Sequence, residues 1–265
     1  MDVRGRRVLI TGASRGIGES LAKRFAAEGA LVALVARSTG AIEKLAADLG
    51  GTAHPADLGD PTQVATLVSR VEDEAGPVDV LVNNAGIAPT SGAIHDWNAD
   101  DLEETYRVNA ISPAELCRQA VPRMLERGRG HIVNVSSMAG CAVFPGLTAY
   151  SSTKASLSQF TSGLRADLKG LPIGTTLVEL GPIPTEMLDS VDDYKPTADS
   201  FRRFYRMQLL TDVSREKVAE DVVHAVVRGR RHVRHPKRSV LFPLLTEAPR
   251  RSVELLLAGV KPRAK

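Results

Sequence analysis

The chain has 265 residues, 43% of them apolar and 25% charged, with a formal net charge of +3. That is enough for one large domain with a substantial core, and the balance is that of a folded globular chain rather than a disordered or fibrous one. No apolar run approaches the roughly 20 residues needed to span a bilayer, no solenoid repeat is visible, and the two cysteines, Cys117 and Cys141, offer no disulfide framework.

In chain order, RRVLITG reads as a first strand and Gly16 to Glu28 as a helix. The start MDVRGRRVLITG runs directly into that strand without the apolar centre of a signal peptide, so a cytoplasmic location is expected. ALVALVAR is a second strand, apolar on both faces, as in a parallel sheet covered by helices on both sides. A helix near Ile42 to Leu49, the strand TAHPADL and a helix from Pro61 to Glu74 follow, with Pro61 suited to a first helical turn. The strand VDVLVNNAG precedes a polar loop around Trp97 and a long helix over Asp101 to Arg127. GHIVNVSS is a fifth strand, the helix carrying Tyr150 and Lys154 ends near Gly170, and GTTLVELG is a sixth strand. Residues 184–211 break this rhythm and read as an inserted lobe. SREKVAEDVVHAVV is a helix capped by Ser214, and RSVLFP is a candidate final edge strand. Strands alternating with helices, with no dividing linker, predict a single doubly wound α/β domain over 1–265 with a mainly parallel sheet.

Two stretches carry chemistry. ITGASRGIGES joins the first strand to the first helix. Its Gly12, Gly16 and Gly18 permit tight turns and close approach of a phosphate. The helix behind it offers free N–H groups and the positive end of its dipole, so the loop is a candidate phosphate site. In AYSSTKASL, Tyr150 and Lys154 lie four residues apart on one helix face, with Cβ atoms roughly 5–6 Å apart. An ammonium beside a phenol favours the phenolate and is expected to lower the phenol pKa from about 10, towards proton transfer. The same spacing also suits an ordinary surface pair. His232 and His235 sit in a basic, extended segment with no carboxylate nearby in sequence, so no metal site is expected.

In this order, TGASRGIG, ADL, NNAG, Asn109, NVSS and the Tyr150–Lys154 pair resemble the short-chain dehydrogenase/reductase family, over about Arg6 to Ala225. The resemblance implies a Rossmann-like domain that transfers hydride between a nicotinamide cofactor and a carbonyl or alcohol. It implies that Tyr150 is the acid in reduction and that Lys154 tunes it and binds the nicotinamide ribose. Ser137, 13 residues before Tyr150, would hold the substrate oxygen in preference to its neighbour Ser136, and Asn109 would link Lys154 to solvent. The cofactor would lie along Gly12, Ser14, Arg15, Gly16, Ile17 and Gly18, then Asp57 and Leu58, then Asn84, Ala85 and Gly86. It would end at Tyr150, Lys154, Gly181, Ile183 and Thr185. The family often has proline before Gly181; this chain has Leu180.

At the end of the second strand stand Ala36, Arg37, Ser38 and Thr39, where a carboxylate would select NAD. Arg37 suits a ribose 2′-phosphate by charge and geometry, and Arg15 adds a second cation. NADP(H) is therefore expected ahead of NAD(H), and with it reduction of a carbonyl. The 184–211 lobe carries Met187, Leu188, Phe201, Phe204, Tyr205, Met207, Leu209 and Leu210, with Met138, Val143 and Phe144 as the opposite wall. It suits a hydrophobic ketone or packs the lobe onto the body. A 3-oxoacyl-(acyl-carrier-protein) reductase, with Arg129 and the basic tail as docking charges, stays open, as does a non-catalytic NADP(H)-binding regulatory protein.

Residues 228–265 hold 11 Lys/Arg and 2 Asp/Glu, a net of +9, against −6 for the preceding 227 residues. Within this extension Val253, Leu256, Leu257 and Val260 recur at helical spacing. A contact with a neighbouring subunit or with a membrane surface, or a solvated terminus, would account for it. The basic run lacks interleaved aromatics, so nucleic acid is not expected. The resemblance implies a homodimer or homotetramer.

Overall fold

In the computed structural model, residues 1–88, 91–142, 144–183 and 192–256 are described. Seven strands form one parallel sheet in the order β3-β2-β1-β4-β5-β6-β7. They are β1 (Arg7–Thr11), β2 (Leu31–Val35), β3 (Thr52–Ala53), β4 (Val78–Asn83), β5 (Gly130–Ser137), β6 (Ile173–Leu180) and β7 (His232–His235). The order reverses between β1 and β4, so the loops after these two strands open a crevice at their carboxyl ends.

The central strands are buried on both faces, as their continuous Val/Ile/Leu runs require. One face packs on α1 (Gly16–Ala27), α2 (Thr39–Leu49) and α9 (Arg215–Arg228) through Leu21, Phe25, Ile42, Val222 and Val226. The other packs on α3 (Pro61–Ala65), α4 (Leu67–Ala75), α6 (Ser112–Glu126) and α7 (Thr148–Asp167) through Val64, Leu67, Leu116, Met124 and Leu168. The remaining helices are α5 (Ala99–Tyr106), α8 (Lys195–Arg206) and α10 (Leu241–Leu256). No described helix is long and apolar enough to cross a membrane.

Four elements differ from the sequence reading. The third strand shortens to two residues, although His54 N–H still bonds Leu34 O at 2.8 Å and keeps the chain alongside β2. The helix from Pro61 divides at Thr66 into α3 and α4. The long helix over 101–127 is α5 and α6 joined by a five-residue π turn, Arg107–Ile111. Pro113 supplies a reason, because it has no N–H to bond the carbonyl of Asn109 four residues earlier, and its ring crowds that carbonyl. RSVLFP is not a strand. The edge strand is the preceding HVRH, and Leu241 opens α10.

HVRH lacks carboxylate neighbours in sequence, and the fold supplies three. Arg234 Nε lies 2.6 Å from Glu179 and its Nη2 2.5 Å from Glu247. His232 Nε2 lies 2.9 Å from Glu247, and His235 Nε2 lies 2.8 Å from Asp221. Burial alone would raise the Glu179 carboxyl, but hydrogen bonds with His232 and Arg234 hold it below its ordinary value. Among the described residues no cluster of three or more His, Cys, Asp or Glu could hold a metal ion.

Candidate active site

The glycine loop is shaped by backbone geometry. Gly12 and Gly16 adopt φ of +63° and +61°, which side chains disfavour. A Cβ on Gly18 would sit 2.0 Å from the Gly12 carbonyl oxygen, so the first turn of α1 closes against the loop only because residue 18 is glycine. From below, Asn84 Nδ2 donates to Thr11 O at 2.9 Å and Gly12 O at 3.2 Å. The Thr11 hydroxyl accepts from Asn84 N–H at 3.0 Å and Ala85 N–H at 3.1 Å. The NNAG segment thus holds the loop in position from the next strand.

At the ends of β5 and β6 the two serines separate, because successive strand side chains face opposite ways. Ser136 is buried and donates to Lys154 O at 2.8 Å. Ser137 is partly exposed; its hydroxyl donates to Leu180 O and accepts from Ala139 N–H, each at 3.1 Å. Tyr150 is also partly exposed and pairs with Ser137. Lys154 is 4% exposed, with its Nζ 5.8 Å from the centroid of the Tyr150 ring and donating to Val135 O at 3.1 Å.

The charge state departs from the sequence expectation. Burial pushes the Tyr150 phenol above its ordinary value, against a smaller opposing effect of the Ser137 hydrogen bond. The Lys154 ammonium lies over the ring, and desolvation of the phenolate is the largest influence on the phenol. Burial also pushes Lys154 down to about 8.

Asn109 lies in the π turn and is fully buried. Its Oδ1 accepts from Ile87 N–H and its Nδ2 donates to Ile87 O, both at 2.8 Å. A further bond to Thr153 Oγ1 at 3.2 Å ties it to the Lys154 helix. It therefore clamps the chain just after NNAG to α7.

These elements surround a cleft of about 950 Å³. Gly12, Ser14, Arg15, Gly16, Ile17, Arg37, Asp57, Leu58, Asn84, Ala85, Gly86, Ser137, Tyr150, Lys154, Gly181 and Ile183 line it. Gly18 and Asn109 are not among its lining residues, the first acting through packing and the second through the Ile87 clamp. Thr185, Met187, Leu188 and Val143 lie outside the described residues. Asp57 spends one carboxylate oxygen on Gly59 N–H at 2.8 Å. Phe144, Phe201 and Phe204 form an apolar wall, with Phe144 5.1 Å from each of the other two ring centroids. They both pack α8 onto the body and line the cleft, while Met207 faces outward.

The sequence reading missed two charged lining residues. Glu104, on α5, comes within 3.6 Å of Arg37, a contact no local pattern announces. Arg215 opens α9. A cation in a helix's first turn opposes the helix dipole, and that misplacement was the available signal.

The cleft suits a nicotinamide dinucleotide. The positive-φ glycine loop sits at a helix N-terminus, Arg15 and Arg37 stand nearby, and the lining runs from the end of β2 to β6. Comparison with known proteins agrees. The family model described as short chain dehydrogenase matches residues 6–196. A short chain dehydrogenase of Pseudocercospora fijiensis is 34% identical over 224 residues, covering 82% of this chain and 72% of that protein. Among the first curated relatives, the chain spans between 39% and 72% of their lengths. A solved short-chain dehydrogenase from Sphingobium yanoikuyae in complex with NADPH is similar, with a TM-score of 0.79, 27% identity and 98% of both chains covered. One from Burkholderia phymatum in complex with NAD, at 24% identity, shares the fold over 100% of both chains with a TM-score of 0.80. With a matching family model over most of its length and that geometry around Tyr150, the chain belongs to the short-chain dehydrogenase family of oxidoreductases.

Proposed function

We propose that the chain is an NADP(H)-dependent reductase of apolar ketones. The observation that carries this reading is the partly exposed Tyr150, paired with Ser137 above a buried Lys154 and facing the same cleft as Arg37. Three strand spacings, about 14 Å, separate the end of β2 from that of β5. Arg37 and the tyrosine therefore address distant parts of one elongated ligand.

Bound there, the nicotinamide would supply the hydride. The glycine loop and the start of α1 hold the pyrophosphate, and Arg37 with Ser38 hold the ribose phosphate. The residues at the end of β2 include no carboxylate, and Glu104, which reaches Arg37 from α5 at 3.6 Å, gives up that contact to the phosphate. Ser137 turns its hydroxyl hydrogen from Leu180 O to the substrate carbonyl oxygen and fixes its position. Tyr150 passes its phenolic proton to that oxygen, giving the alcohol, and the charge of Lys154 stabilises the phenolate left behind. Because burial holds Tyr150 above its ordinary value, the proton is in place at neutral pH, which favours reduction. Lys154, at about 8, still carries its charge there. Phe144, Phe201 and Phe204 exclude water from the reacting end and select apolar groups on the ketone.

The test is oxidation of NADPH by the purified chain with a panel of apolar ketones and 3-oxoacyl thioesters. Tyr150→Phe lowers turnover by about 10²–10⁴-fold and leaves NADPH affinity unchanged. Tight NADPH binding without oxidation across the panel would mean a nucleotide sensor instead. Arg37→Asp moves the preference from NADPH towards NADH by on the order of 100-fold, as loss of a charge-assisted contact requires. An unchanged ratio would refute NADP(H) selection by this residue.

A further inference from the structure

We propose that the start of α10 is a docking surface for an anionic lipid bilayer. Leu241, Leu244 and Leu245 are 64%, 40% and 64% exposed. Their spacing of three and four residues puts them on one helix face. Met207, 56% exposed, directly precedes Gln208, which Arg238 contacts. The Arg238 guanidinium donates to Gln208 Oε1 at 3.0 Å, and the Ser239 hydroxyl donates to Leu209 O. The turn after α8 is therefore fastened to the residues just before α10. Large apolar side chains gathered in this way mark an interaction site.

Charge identifies the partner. Residues 228–240 contain six Lys/Arg and no Asp or Glu. One of the six, Arg234, is turned inward to Glu179 and Glu247. The other five, including Lys237 and Arg238 directly before the leucines, are exposed. Two acids on the α8 side are engaged: Asp199 by Lys195 and Arg202, and Asp212 by the Tyr205 hydroxyl. Apolar side chains next to a run of cations match a surface of acyl chains under anionic headgroups. A second copy of the chain, related by a two-fold axis, would set the same cations against each other. The surface is also rigidly held, because buried Glu247 binds α10 to β7 through Arg234 and His232.

The neighbouring Leu210 and Ser239 line the cleft. On the reductase reading above, and resting on it, the substrate is a lipid-borne ketone that enters from the bilayer. The docking itself does not depend on that reading.

The experiment is flotation of the full chain with phosphatidylcholine vesicles and with mixed phosphatidylcholine–phosphatidylserine vesicles, without nucleotide or substrate. Binding is expected only to the mixed vesicles and weakens with added salt. Lys237→Glu with Arg238→Glu weakens it at least about 25-fold, at about fivefold for each cation. Leu241→Ser with Leu245→Ser abolishes it while the melting temperature stays at the parent value, since both positions are exposed. No binding, equal binding to both vesicle types, or binding that survives both double variants would overturn the proposal. So would leucine variants that alter the mass in solution of a chain that ignores vesicles, which would assign the face to a second copy. Because flotation needs no turnover, a chain that floats but fails the NADPH oxidation test counts against the reductase alone, and one that passes that test but fails to float counts against the docking alone.

Discussion

Lys154→Met should yield an inactive protein that is more stable than its parent. The ammonium is 4% exposed, and burial lowers its pKa from 10.5 to about 8. At about 1.36 kcal/mol per pKa unit, carrying that charge in the folded state at neutral pH costs about 3 kcal/mol. Methionine is also unbranched and of similar length. The substitution forfeits the Nζ bond to Val135 O, worth about 1 kcal/mol. The net gain is about 2 kcal/mol, or roughly 4 °C in melting temperature for a domain of this size. The sign follows from linkage. The folded pKa is depressed, so between about 8 and 10.5 the unfolded chain binds the extra proton and the parent gains stability as pH rises. The advantage of the variant is therefore full below about pH 8 and disappears towards 10.5. Calorimetric melting at neutral and alkaline pH, beside an NADPH turnover assay, checks both halves. A variant that melts below its parent at neutral pH, or whose advantage does not shrink in alkali, would refute the reasoning.

Gly18→Ala places a methyl 2.0 Å from the Gly12 carbonyl and forces α1 away from the loop. Overpacking of this kind costs about 1–3 kcal/mol, and titration calorimetry should show NADPH affinity falling more than ketone affinity. Glu179→Gln leaves Arg234 buried with half its counter-charge, a loss of about 3–5 kcal/mol in denaturant unfolding. Because the Glu179 carboxyl is held below its ordinary value, its stabilisation is complete above about pH 4.3 and is lost in more acid solution, where parent and variant should converge.

The chemistry of the site was legible where it is local. The interval from Ser137 to Tyr150 and Lys154, the glycine loop and NNAG are short patterns fixed by strand–turn–helix geometry, and the fold gathers them at one cleft. Long-range pairings were not legible. HVRH reads as a basic, extended segment without carboxylate neighbours, and its partners Glu179 and Glu247 are far away in sequence. Arg37 meets Glu104 across the cleft by the same kind of accident of topology. Helical spacing alone points the Tyr150 shift the wrong way, because it reveals a neighbour but not the depth of burial around it.

The π turn has a consequence well outside the cleft. It adds a residue to the helical path, and removing that surplus would rotate everything downstream by about 100°. Leu116, Ala120 and Met124, all fully buried against the sheet, would swing towards solvent. Straightening the helix around Asn109 would therefore unseat a whole core face. A purely local gain in regularity is closed to this chain, and the irregular turn is guarded by side chains that never approach the ligand.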